Sequence, residues 1–296
     1  MHIGLMTSAF RKGRSDDPFT TYKEQIRMCK EAGYTVLDLN MCAMITSDTA
    51  TEFQTKDWRA VAEDTRQYAD SLGVTFSQSH PVYRKVPGGV PYPDKNQEDR
   101  YLELAKLGIE LSAIMGVKWA VLHPAMAFGE AMLDEQACIR INHEANDGII
   151  DLAIKRGVGI AYENMRDNEA YRRFGSSAEE LVSLVDDYHC PEVGVCWDFG
   201  HAHRNMQDQC RALRLVGRRL KATHLNDNHG KDLDEHLIPF MGTISWERIM
   251  KVLRDIGYEG PLVYELSATA NMPMPLKMET MKYAKTVGDY LLSLGV

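Results

Sequence analysis

The sequence predicts an α/β protein, a (β/α)8 barrel, and three observations carry that prediction. Short apolar runs of strand length alternate eight times with longer stretches of helical period. Several of the longer stretches stop at a glycine (Gly33, Gly73, Gly116, Gly157 and Gly257), as a left-handed helix cap requires. The first apolar run leads into TSAFRKGRSDD and lacks the G-x-G-x-x-G turn with which an open, doubly wound sheet cradles a phosphate. Eight alternations in 296 residues suit one closed barrel, and no linker, low-complexity tract or charge shift divides residues 1–296, which read as a single domain.

The elements follow in order. HIGLMTS and TYKEQIRMCKEAG form the first strand and helix, YTVLDLN and DWRAVAEDTRQYADSLG the second pair, GVTFSQSH and EDRYLELAKLGIELSAIMG the third. KWAVLHP precedes INHEANDGIIDLAIKRG, and GVGIAYEN precedes SAEELVSLVDDY. The last three strands are VGVCWDFGH, KATHLND and PLVYELS, followed by QCRALRLVGRRL, SWERIMKVLRDIG and PLKMETMKYAKTVGDYLLSLG. Strands are short and β-rich, and several of the helical stretches repeat apolar residues at i, i+3, i+4 and i+7.

Composition narrows the function classes. With 44% hydrophobic and 26% charged residues the chain is an ordinary soluble globular protein. Its N-terminal apolar run is too short for a signal peptide and nowhere do 18 apolar residues follow one another, so a cytoplasmic protein without a membrane partner is expected. Six cysteines without a C-x-x-C pair read as reduced thiols filling small core positions. A net charge of −8 disfavours nucleic acid as a partner.

Active sites of this fold are built where the strands end, so the polar residues that close the apolar runs share one mouth. Those ends supply His80, His123, Glu163, Asp198 with His201, His224 and Glu265, and the DLDEH loop adds Asp234 and His236, two apart and on one side of an extended segment. Buried carboxylates repel one another unless a cation compensates, and a divalent metal is the economical explanation for so many acids and imidazoles. His2, His143, His189, His203 and His229 lie off the strand ends and read as ordinary polar residues; Trp119, Trp197 and Trp246 read as packing residues.

AYEN, WDFGH, HLND, DEHLIPFMGTISW and VYEL, in this order and at these spacings, resemble the sugar phosphate isomerase/epimerase superfamily of xylose isomerase-like TIM barrels, over essentially the whole chain. The resemblance to its tagatose-epimerase-like members implies one divalent ion, Mn, Mg, Co or Zn (manganese among them), held by Glu163, Asp198, His224 and Glu265. It also implies substrate contact by His201, leaving His80, His123, Asp234 and His236 to complete the substrate cleft. Two carboxylates then move a proton next to a carbonyl through a metal-stabilised enediolate, and Glu163 and Glu265 are the pair. Epimerisation, isomerisation and dehydration all follow from that chemistry, on a small sugar, ketose or inosose. Family barrels often associate, which makes a homo-oligomer an expectation of the resemblance. The substrate-binding arginine that tagatose-epimerase-like enzymes carry after the seventh strand is missing from HLNDNHGKDLDEH, where Lys231 is the nearby cation; the stretch is closer to inosose dehydratases and related isomerase-like proteins. Endonuclease IV, a DNA repair enzyme with three zinc ions, is the alternative. All nine of its ligand types have counterparts here, and Tyr83 falls where it places a DNA-contacting tyrosine.

Overall fold

The computed structural model describes residues 1–11, 20–45, 51–84, 95–167, 172–230, 234–266 and 271–294. Eight strands form one parallel sheet: β1 (Ile3–Met6), β2 (Val36–Asn40), β3 (Thr75–His80), β4 (Trp119–Leu122), β5 (Gly159–Glu163), β6 (Val193–Asp198), β7 (Leu220–His224) and β8 (Leu262–Tyr264). From β1 to β7 each strand pairs with its neighbours in sequence, and β8 pairs with β1. Closure between β7 and β8 rests on the Leu225–Tyr264 bridge, with Leu225 N donating to Val263 O at 2.6 Å and Glu265 N to Leu225 O at 3.2 Å. The sheet is thus a (β/α)8 barrel, as the alternation predicts.

The helices are α1 (Tyr22–Glu31), α2 (Trp58–Ser71), α3 (Lys95–Ile114), α4 (Glu135–Lys155), α5 (Ala178–Asp187), α6 (Phe199–Arg204), α7 (Gln209–Val216), α8 (Trp246–Asp255) and α9 (Met274–Ser293). Their starts are written in the sequence. Thr21 accepts from Glu24 N while the Glu24 carboxylate accepts from Thr21 N, a reciprocal cap that opens α1. Asp134 and Ser177 cap α4 and α5 in the same way on one side. The α4 cap lies well before the INHEANDG stretch, because the Asp134 side chain rather than the periodic apolar face decides where the helix begins. Gly33, Gly73, Gly116, Gly157 and Gly257 all have positive φ, between 65° and 99°, directly after helices. The short α6 is a departure: the sequence reading ran WDFGH straight out of the strand, whereas Asp198 ends β6 and caps a helix at once.

Alternation along the strands separates two packing layers. Ile160, Tyr162, Val195 and Trp197 face the helices, where most of the core lies. The intervening residues face the barrel axis, where Val121, Ala161, Cys196 and Ala222 form a compact apolar layer. One strand repeat further on, the same four strands present His123, Glu163, Asp198 and His224, so the small layer is the base on which the polar centre stands. Trp197 and Trp246 are fully buried and Trp119 is partly buried against the inner layer, so all three pack. The six cysteines are free thiols, three of them buried. Among the described residues, no helix is long and apolar enough to cross a membrane.

Candidate metal centre at the carboxyl ends of the strands

The barrel brings Glu163, Asp198, His224 and Glu265 together, with one ligating atom of each lying within 4.8 Å of the others. His224 Nδ1 sits between two carboxylates, 2.8 Å from Glu163 Oε1 and 3.2 Å from Glu265 Oε2, and 3.8 Å from Asp198 Oδ2. Three of the four side chains are at most 1% exposed, while Glu265 opens to the cavity above. Burial alone would lower the His224 basicity, but the Glu163 and Glu265 carboxylates hold its pKa well above the usual imidazole value. Burial likewise works to neutralise Glu163, yet His224 and the hydrogen bonds from His123 and His80 hold it well below the usual carboxylate range. Asp198 goes the other way: burial, reinforced by Glu265 and Glu163, lifts it to about 6 against the opposing pull of His201.

Neighbouring backbone and amides fix these groups. Asp198 Oδ1 accepts from His201 N at 2.7 Å, which caps α6, and its Oδ2 accepts from Asn226 Nδ2 at 3.0 Å. Asn164 donates to Asp198 O at 2.8 Å and accepts from Asp198 N at 2.6 Å, tying the ends of β5 and β6. Gly200 lies against Asn226 so closely that a Cβ there would collide with the amide oxygen. That close approach accounts for the glycine in WDFGH.

Two further clusters of ligand type adjoin the first: His80, His123 and Glu163, and His201, Asp234 and His236, each again within 4.8 Å. His123 Nε2 is 3.0 Å and His80 Nε2 3.5 Å from Glu163 Oε2. His236 Nε2 lies 3.3 Å and His201 Nε2 3.9 Å from Asp234 Oδ1, and Arg166 Nε reaches Asp234 Oδ2 at 2.9 Å. Asp234 and His236 do meet, but not through an extended segment: His236 has φ 49°, and this left-handed turn folds its Nδ1 back to donate to Glu265 O at 3.0 Å. His236 is pushed up to about 10, since Asp234 and Glu265 outweigh its burial. A cavity of about 510 Å³ opens above the three clusters, with Tyr83 stacked on His123 at 5.2 Å. Lys231 lies outside the described residues. The five remaining histidines stay out of the centre, as expected; His143, for instance, pairs with Asp147 and Asp187.

Some contributors escaped the sequence reading. Asn164 and Asn226 end AYEN and follow His224 in HLND, and a polar residue just past a strand end was the available signal. Asp38 and Gln78 lie mid-strand, at 0% exposure, inside the barrel beneath the centre.

A divalent cation fits this donor set. Three carboxylates, two of them buried, crowd one buried imidazole at a single centre, and hard to borderline oxygen and nitrogen donors suit Mn²⁺, Mg²⁺, Co²⁺ or Zn²⁺.

Fold and site together define a (β/α)8 barrel with a carboxylate–imidazole centre at the carboxyl ends of its strands. The chain belongs to the xylose isomerase-like TIM barrel family, whose model matches residues 26–286. It is 28% identical over 269 residues to the uncharacterized protein y4fM of Sinorhizobium fredii, covering 82% of each chain. A D-psicose 3-epimerase of Enterocloster bolteae is 30% identical over 90 residues, 30% of this chain and 28% of that one. A probable endonuclease 4 of Mesomycoplasma hyopneumoniae is 27% identical over 183 residues, 56% of this chain and 62% of that one. Among solved structures, the IolI protein with a bound zinc atom superposes with a TM-score of 0.77 at 16% identity, covering 99% and 98% of the two chains. A D-tagatose 3-epimerase-like protein superposes at 0.72 and 19% identity, covering 98% and 99%.

Proposed function

We propose that the protein is a divalent-metal-dependent isomerase or epimerase, or a related dehydratase, acting on a small sugar, ketose or inosose. Glu163, Asp198, His224 and Glu265 would hold one metal ion. The observation that carries this reading is the placement of Glu163 and Glu265 on either side of His224 Nδ1, giving two carboxylates at one buried centre beneath a cavity of sugar size. When bound, the metal would draw charge from neighbouring carbonyl and hydroxyl oxygens of the substrate and lower the cost of an enediolate.

The residues of the chain supply the rest. One glutamate accepts the proton from the carbon beside the carbonyl. Its return by the same group to the former carbonyl carbon, with the hydroxyl proton of the first carbon passing to the former carbonyl oxygen, isomerises the substrate, and delivery by the other, in its acid form, to the opposite face of the first carbon epimerises it. Loss of a β-hydroxyl from the same enediolate, protonated by the other glutamate in its acid form and leaving as water, is dehydration. His201, oriented by its Nδ1 donating to Asn164 O at 2.9 Å, turns Nε2 toward the cavity to hold a substrate oxygen, with His80, His123, Asp234 and His236 completing the walls. The similarity to epimerases supports this assignment.

The test is solvent-deuterium exchange into a panel of ketoses and inososes by the Mn²⁺-loaded protein. Wild type should incorporate deuterium at a carbon next to the carbonyl. Glu163→Gln and Glu265→Gln should each lose at least about a hundredfold in turnover while retaining metal. Wild-type exchange by both metal-loaded variants would refute the two-glutamate assignment.

One observation favours a second reading: the nine acids and histidines form three adjoining clusters rather than one. An endonuclease IV-like enzyme with three zinc ions would use them all. Three zinc ions per chain and chelator-sensitive incision of abasic-site DNA would establish it in place of the first.

A further inference from the structure

We propose that Asp38 is a positioning residue for His224: it holds the imidazole in the tautomer that leaves Nδ1 free as a ligand, and so sets the metal affinity of the centre. The inference rests on the metal-binding reading above. His224 is fully buried, and its two nitrogens face opposite ways. Nδ1 faces Glu163 and Glu265, whereas Nε2 faces Asp38 Oδ2 at 3.7 Å across the barrel axis. If Nδ1 offers its lone pair upward, the ring proton must reside on Nε2, pointing at a carboxylate. Histidines that bind metals are oriented by this kind of partner on the far nitrogen.

Three observations show that Asp38 is placed for the task. It is fully buried, and both its Oδ1 and the His224 Nε2 that faces it have no hydrogen-bond partner, an arrangement that is costly unless carboxylate and imidazole serve each other. Its Oδ2 accepts from Gln78 Nε2 at 2.8 Å, and Gln78 is tied to Thr223, the residue before His224, by Nε2 to Thr223 O at 3.2 Å and Thr223 N to Oε1 at 3.4 Å. Carboxylate, amide and imidazole are therefore linked through the strand that carries His224. Finally, the β2–β3 register shifts between Leu37 and Asp38, a local irregularity of the kind that re-aims a side chain. His80 stacks on the face of His224 at 5.6 Å and 10°, leaving the edge toward Asp38 as the direction that fixes the proton.

Isothermal titration of wild type, Asp38→Asn and Asp38→Ala with Mn²⁺ and with Zn²⁺ tests the proposal, paired with thermal melts of the metal-free proteins. Asp38→Ala should bind about 10–100-fold more weakly, and Asp38→Asn, which keeps an acceptor without the charge, should fall between it and wild type. Metal-free melting temperatures should stay level or rise as a buried carboxylate is removed. A merely structural Asp38 would give lower metal-free melting temperatures with metal affinities within twofold of wild type, and that result overturns the proposal. On wild type alone, ¹⁵N-histidine spectra of the metal-loaded protein should show a slowly exchanging proton on His224 Nε2; a proton on Nδ1 would overturn it too. If wild type bound neither ion, the metal reading and this inference would both fall, whereas wild-type binding with unaffected variants removes only the role of Asp38.

Discussion

Asp198 has two distinct attachments on one carboxyl group. Oδ1 caps α6, so replacing the side chain would disturb both a helix start and the centre, while Oδ2 faces Asn226 and the ligand cluster. Its pKa near 6 and the strongly held proton of His224 make protons direct competitors of a metal. A ligand must shed its proton to bind, so affinity falls as pH falls. Mn²⁺ affinity should therefore drop by at least about tenfold per pH unit below 6, one proton or more being displaced per ion, and titrations at pH 5, 6, 7 and 8 will show the slope. Affinity independent of pH over that range would contradict the ligand assignment. The four proposed ligands were legible because each closes an apolar run. Asp38 was not, since an acid in the middle of YTVLDLN acquires meaning only when the register shows that it points at the barrel axis beneath His224.

At the level of elements, the β7–α8 connection explains why HLND and the distant GTISW are so conspicuous in the sequence. The fully buried Asp227 carboxylate accepts from Phe240 N at 2.9 Å, Ile244 N at 3.1 Å and Trp246 Nε1 at 2.9 Å, while its backbone pairs with Leu237 in both directions. One side chain thereby gathers the loop that carries Asp234 and His236. Asp227→Ala strands several buried donors and should cost on the order of 3 kcal/mol, seen as a melting temperature lower by about 5 °C. An unchanged melting temperature would show that the loop is held by other means. Sequence patterning located the eight strand–helix units well, because each is a local periodicity. It missed α6 and the turn at His236, whose conformations depend on a side-chain cap and on a backbone carbonyl brought in from β8.

For the whole molecule, the polar centre gathers carboxylates and imidazoles at one end of the barrel, above the small apolar layer. Cation binding to the native state alone stabilises it by mass action, about 2.7 kcal/mol at a hundredfold excess over Kd. Saturating Mn²⁺ should accordingly raise the melting temperature by about 4 °C over chelator-treated protein, and no rise would argue against a native metal site. The closure of the barrel between β7 and β8 gives this coupling a location. That seam has fewer ladder bonds than the other strand pairs, yet His224 stands on one side of it and Glu265 on the other. Ligands shared across the seam make the ion a clasp between the two ends of the sheet. The amides of Leu225 and Glu265 should then exchange with solvent markedly more slowly in the loaded protein, while those between β4 and β5 keep their rates.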